Sequence, residues 1–242
     1  MDKPEPKTVI ALATQTFSPA SSRWSSPGIV AKLASTQPND RLMQFATQEF
    51  NSCTDHRLLD IGCGAGCNAI PLAAVGWNVL GVDLSQAMLD ATQKRAQEHA
   101  LTDRVLLQRA PMEKLPAEDQ RFDFIVAHGV WNLARSTSEF RQALREAARV
   151  ARPDAALFVF TFSRNTLLAT AESVVGEPYI FTQFSGEPQC FLTEMQLVDE
   201  LETAGFILAS GEPVKEIDLQ KPNSPGMRNS PVVYEGIFRR QA

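Results

Sequence analysis

From Arg57 to Phe162 the chain alternates short, nearly continuous apolar runs with amphipathic stretches. The apolar runs are Arg57–Ile61, Trp77–Val82, Val105–Gln108, Phe122–Ala127 and Ala155–Phe162. A strand that is apolar at successive positions is buried on both faces, as in a parallel sheet covered by helices on either side. The intervening periodicity is helical. Ser85 is placed to cap a helix running to about His99, with Ala87, Met88, Ala91 and Ala96 on its buried side. Ser138–Val150 repeats the pattern with Phe140, Leu144, Ala147 and Ala148. Pro153-Asp154 then predicts a turn into the fifth strand. With right-handed crossovers, this order implies an α/β, doubly wound fold.

The flanks read differently. The first 38 residues are punctuated by Pro4, Pro6, Pro19, Pro27 and Pro38, with helical pieces expected near Gly28–Ser35 and Asp40–Phe50. We divide the chain into this N-terminal segment, 1–38, and one domain, 39–242, with an insertion at about 163–191. Thr193-Glu194-Met195-Gln196 has the spacing of a capping box and opens a helix that stops at Gly205. Strands are expected at Phe206–Ala209 and Val232–Phe238, separated by a turn-rich loop at Asn223–Ser230.

The most informative segment is Leu58-Leu59-Asp60-Ile61-Gly62-Cys63-Gly64-Ala65-Gly66. A strand enters a loop with glycine at every second position, then a helix from about Cys67 to Val75. Glycine allows a sharp turn and a close approach of a ligand to the main chain. The helix beyond offers free N–H groups. Dinucleotide enzymes use such loops too, so the details matter. Asp60 beside the loop suits a cationic group and repels a pyrophosphate. The dinucleotide spacing needs Gly or Ala at position 67, where Cys67 stands. Asp83 closes the next strand, where a carboxylate can accept ribose hydroxyls.

On these residues the run Leu58–Pro153 resembles the core of class I S-adenosylmethionine (SAM)-dependent methyltransferases, especially those acting on small molecules. Leu58–Gly66, Gly81–Met88, Met112–Pro116 with Phe122–Val126, and Leu144–Pro153 carry the likeness. The stretch FLTEMQLVDELETAGF resembles the helix before strand six in that family. The resemblance implies a mostly parallel seven-stranded sheet whose last strand, Val232–Phe238, is antiparallel. It implies SAM as cofactor and assigns residues to it. Asp60 would anchor the amino-acid end; Gly62, Cys63, Gly64 and Gly66 would line it. Asp83 would hold the ribose, and Leu84, Met88 and Met112 would flank the adenine. His128 would stand where cofactor and substrate meet. Many relatives carry an Asp just before the Met112 position; here it is Pro111, so Glu113 or main chain and water would serve.

His128 is also the one candidate base, since histidine titrates near neutral pH. Trp131, Tyr179, Phe181 and Phe184 are candidate pocket walls, with Phe17 and Trp24 of the N-terminal segment closing over them as a substrate lid. The expected reaction is transfer of a methyl group to a small, partly apolar acceptor by in-line displacement. The alternatives are a non-catalytic SAM-binding module or an NAD(P)-dependent oxidoreductase; no Tyr-x-x-x-Lys pair supports the latter.

Composition narrows partners. Net charge is −5, with a pI near 5.3, and long basic stretches are absent. That weighs against nucleic acid, which binds clustered Lys and Arg. Asn-Pro-Pro-aromatic is also missing after strand four, where His128-Gly129-Val130-Trp131 stands. The four cysteines form no C-x-x-C pair and the three histidines are scattered, so no metal site is expected. Val9–Ala13 is too short for a signal-peptide core, and no run approaches a membrane span. A cytoplasmic monomer or homodimer, with no membrane partner, is expected.

Overall fold

The computed structural model describes residues 23–219 and 230–241. Five strands run parallel: β1 (Arg57–Ile61), β2 (Asn78–Asp83), β3 (Val105–Arg109), β4 (Phe122–His128) and β5 (Ala151–Phe162). A two-stranded ribbon follows, β6 (Ile180–Phe181) and β7 (Gln189–Cys190). The main sheet then adds β8 (Phe206–Leu208), β9 (Lys215–Asp218) and β10 (Val232–Arg240). Its order is β3-β2-β1-β4-β5-β10-β8, with β9 also paired to β10. β10 is antiparallel to β5, β8 and β9. The sheet is therefore mostly parallel with an antiparallel last strand, and among the described residues it has eight strands where seven were expected. The extra strand, β9, reads KEID; only Ile217 is apolar in it, so no strand signal stands out.

Two apolar clusters lie on opposite faces. One face carries α2 (Asp40–Phe50), α3 (Ala69–Val75) and α4 (Gln86–Glu98), which bury Leu42, Ala46, Leu72 and Leu89 against Leu58, Val79, Phe124 and Phe158. The other carries α5 (Thr137–Val150) and α6 (Glu194–Thr203), with Phe140, Leu144, Leu197 and Leu201 against Leu59, Ile125 and Leu157. Alternate residues of one strand thus serve opposite cores. The N-terminal helix α1 (Pro27–Ala34) starts on a proline, whose missing N–H is harmless there, and buries none of its residues.

Local chemistry sets the boundaries. Asn39, Ser85 and Ser136 each cap a helix by accepting a backbone N–H. The Thr193–Gln196 capping box forms in both directions, at 3.2 and 2.9 Å. Thr193→Ala is expected to cost about 1 kcal/mol in urea unfolding.

Three expectations are corrected. Pro153-Asp154 is not a turn between elements: β5 begins at Ala151, and the irregularity is a bulge opposite Phe122–Phe124, with Asp154 at φ +64°. The buried face of α4 is Met88, Leu89, Thr92 and Ala96; Ala87 and Ala91 sit half-buried at its margin. The helix after the glycine loop begins at Ala69, because Cys67 and Asn68 are still in the turn.

Candidate functional site

β1, β2 and β4 end side by side, so the turns after them meet at one edge. Ligands of open α/β sheets bind in that place, beyond the carboxyl ends of the strands. After β1 the chain turns back on β2: the Gly62 and Cys63 N–H groups donate to the Val82 carbonyl at 2.8 and 3.0 Å. Gly62, Gly64 and Gly66 all have positive φ. A Cβ on Gly62 would strike Val130, and one on Gly66 would strike Thr92. Gly64 has nothing within 4 Å of where its Cβ would lie, so its outer side is open to an approaching group. Thr92 and Arg95 of α4 brace the turn from behind, donating to the Gly64 and Ala65 carbonyls at 2.8 and 2.9 Å. Neither bracing residue stands out in the sequence, because each lies on an ordinary helical face.

Asp60 is the last polar residue before that turn and is only 2% exposed. Its Oδ2 is buried without a hydrogen-bond partner among the described residues. Removal from water, with the Asp83 carboxyl nearby, pushes its pKa up to about 8. Asp83 sits at the end of β2. Its Oδ2 accepts from the Gly64 N–H at 3.0 Å and its Oδ1 from the Ser85 N–H at 2.8 Å. Burial still raises its pKa, against the pull of those hydrogen bonds. Two carboxyl groups thus flank one glycine turn, and among the described residues one of them lacks a counter-group.

The other expected residues fall around this turn in different ways. Leu84 is 51% exposed beside Asp83. Met88 is buried in the first turn of α4, and Met112 is nearly buried in the loop after β3. The Cys63 side chain points into the core, close to Gly81, and offers the site only its backbone. His128 ends β4, and its ring stacks on Phe160 with centroids 4.2 Å apart. Burial pushes its pKa down to about 4, so the ring is neutral at pH 7.

The expected aromatic wall does not assemble as one unit. Trp131 is fully buried and packs edge-on against Phe140 in the core; it presents no face to a pocket. Tyr179 lies beside α5 and α6, where its hydroxyl donates to Glu200 at 2.8 Å and Arg141 grips the same carboxylate. Phe181 and Phe184 instead join Phe162 and Phe191. Trp24 is elsewhere again: its carbonyl accepts from the Ser85 hydroxyl at 3.3 Å, next to Asp83. Phe17, and all but Ser230 of the predicted loop 223–230, lie outside the described residues. Among the described residues no group of His, Cys, Asp and Glu is arranged to hold a metal, and no helix is long and apolar enough to cross a membrane.

A family model described as "Methyltransferase domain" matches residues 59–159, from the glycine turn through β5. The ubiquinone biosynthesis O-methyltransferase of Azorhizobium caulinodans is 31% identical over 153 residues, which are 62% of this chain and 58% of that protein. Over that region the chain is similar to known methyltransferases. A solved SAM-dependent methyltransferase from Methanosarcina mazei shares the fold of this chain, with a TM-score of 0.66 at 21% identity over 85% of this chain and 99% of that one. So does the 1,6-didemethyltoxoflavin-N1-methyltransferase of Burkholderia thailandensis, solved with its namesake 1,6-didemethyltoxoflavin and S-adenosylhomocysteine bound. Its TM-score is 0.60 at 18% identity, over 84% and 80% of the two chains. The chain spans 58% of the Azorhizobium protein's length, less than two thirds of it.

Proposed function

We propose that this chain transfers a methyl group from SAM to a small, partly apolar acceptor by in-line displacement. The observation that supports this best is the Asp60 carboxyl: buried, its Oδ2 without a hydrogen-bond partner among the described residues, and set against a glycine turn that is open at Gly64. A buried carboxyl without a partner is costly unless a cation completes it. The ammonium of SAM is such a cation, and the residues present fit it. A pyrophosphate would meet repulsion there, which disfavours the NAD(P) reading.

Bound SAM would supply a methyl group activated by positive sulfur. Asp60 would accept the ammonium. Asp83, already oriented by the Gly64 and Ser85 amides, keeps free lone pairs for the ribose hydroxyls. Leu84, Met88 and Met112 would border the adenine, with Glu113 or main chain and water in place of the acid that Pro111 lacks. His128, neutral and stacked, would hydrogen-bond at the mouth and orient the acceptor. Positioning of this kind can supply about 7–11 kcal/mol of a barrier.

Residues 1–38 would act as a lid and 163–191 as an insertion flanking the acceptor; the Trp24–Ser85 contact supports the first assignment. The enzyme would work in the cytoplasm, consistent with four free thiols, as a monomer or homodimer with no nucleic-acid partner. The test is calorimetric titration with SAM, S-adenosylhomocysteine and NAD(P)H in parallel. Micromolar binding of the first two, without the third, is expected. Binding of NAD(P)H alone would overturn the reading.

A further inference from the structure

On the face that carries α2 and α3, the last row of the sheet reads His128, Phe160, Glu235. His128 pairs with Phe160 across β4 and β5, and Phe160 pairs with Glu235 across β5 and β10. Residues directly opposite on adjacent strands share a face. His128 and Glu235 are therefore two strands apart, about 10 Å by ordinary sheet spacing, with the Phe160 ring between them. Glu235 interrupts the run Val232-Val233-Tyr234-Glu235-Gly236-Ile237-Phe238 and is only 5% exposed.

Asn39 ties this row to the glycine turn. Its side-chain amide donates to Glu235 Oε1, and its backbone N–H donates to Asn68 Oδ1 at 3.2 Å. Asn68 ends that turn and is 4% exposed. Arg41 does not neutralise the Glu235 carboxyl by direct contact: it donates to the Glu235 carbonyl and to Glu212. Two polar groups stay uncommitted at this row: among the described residues, Glu235 Oε2 and Asn68 Nδ2 have no hydrogen-bond partner. The His128 ring bonds only its own backbone.

We infer that Glu235, held by Asn39, is a specificity-determining residue that binds a hydrogen-bond-donating group, a hydroxyl or protonated amine, on the methyl acceptor. This rests on the methyltransferase reading and adds to it the chemistry of the acceptor. A carboxyl accepts hydrogen bonds and repels anions. A carboxylate- or phosphate-bearing acceptor would meet it unfavourably. The Phe160 ring beside it gives the apolar part of the acceptor a surface, as small-ligand sites commonly do.

The test uses the full chain loaded with S-adenosylhomocysteine. Three matched probes, para-fluorobenzylamine, para-fluorobenzyl alcohol and para-fluorobenzoate, are titrated at millimolar concentration by fluorine NMR. The amine and alcohol are expected to bind and the benzoate not. Glu235→Gln keeps an acceptor for Asn39, so the fold is retained. It should weaken the amine by about fivefold or more, as expected for loss of a charge-assisted contact, while S-adenosylhomocysteine affinity stays unchanged. Should that variant not fold, Glu235→Asp, which withdraws the carboxyl by one methylene, is expected to weaken the amine likewise. Unchanged amine affinity in the folded variant, tightest binding by benzoate, or no binding by any probe would overturn the inference. Loss of S-adenosylhomocysteine binding by the wild-type chain would instead overturn the methyltransferase reading.

Discussion

Asp60→Asn is expected to make the ligand-free protein more stable while weakening its hold on SAM. The two effects share one cause. In the folded chain the Asp60 carboxyl has been withdrawn from water and pushed up to a pKa of about 8, first by burial and then by Asp83. In the unfolded chain it titrates near 4. Between those values the folded state holds a proton that the unfolded state has released. Stability from this group is therefore fully present below about pH 4 and is lost as pH rises to about 8, with a slope of about 1.4 kcal/mol per pH unit. Asparagine does not titrate. The variant's advantage in urea unfolding should grow from pH 4 to about pH 8 and then level off. For SAM, removal of the buried charge should cost about 2–4 kcal/mol, roughly 30- to 1,000-fold in affinity. Binding by the wild type at pH 7 should release about one proton, because the ammonium restores the ionised carboxyl. Calorimetry in buffers of different ionisation enthalpy reads that proton. A variant whose stability advantage did not change with pH would refute the assignment of the proton to Asp60.

Gly62→Ala should be strongly destabilising. Its backbone has φ +70°, and the new Cβ would stand 2.7 Å from two Val130 carbon atoms. Left-handed strain adds about 1–2 kcal/mol, and forcing Val130 away about 1–3 kcal/mol more. A loss of about 2–5 kcal/mol in urea unfolding is expected. Gly64→Ala is the control. It has φ +54° but open space around the new carbon. Its stability loss should be held to about 1–2 kcal/mol, whereas SAM affinity should fall, because the methyl projects where the cofactor approaches. Equal stability losses for the two variants would mean that the Val130 contact is not restrictive.

The parallel half of the fold was legible because each of its strands is an apolar run and each crossover carries a local signal, such as the Ser85 cap. The Pro153-Asp154 bulge was not, since a proline with a left-handed residue reads as a turn wherever it falls; the pairing of Phe122 with Ala151 extends the strand across it. Trp131 follows His128 closely in sequence, yet it turns into the core. Adjacency to a site says nothing about which way a side chain faces. The aromatics after β5 were scattered for a similar reason: Tyr179 is claimed by Glu200 and Phe181 by its neighbours. Glu235 carried one readable signal, a charge inside an apolar strand. Its meaning depended on register with Phe160 and on Asn39, both distant in sequence.

β10 lies between β5 and β8, both of which precede it in the chain. During synthesis those two strands leave the ribosome before the strand that separates them. The parallel strands β1–β5 can pair as they emerge, but the gap beside β5 closes only when Val232–Arg240 arrives. Until then the apolar flank of β5 is an unpaired edge, open to other chains. Glu235 reaches its place beside Phe160 in that same closing step, so the glycine turn forms from early sequence and the row beside it is completed last.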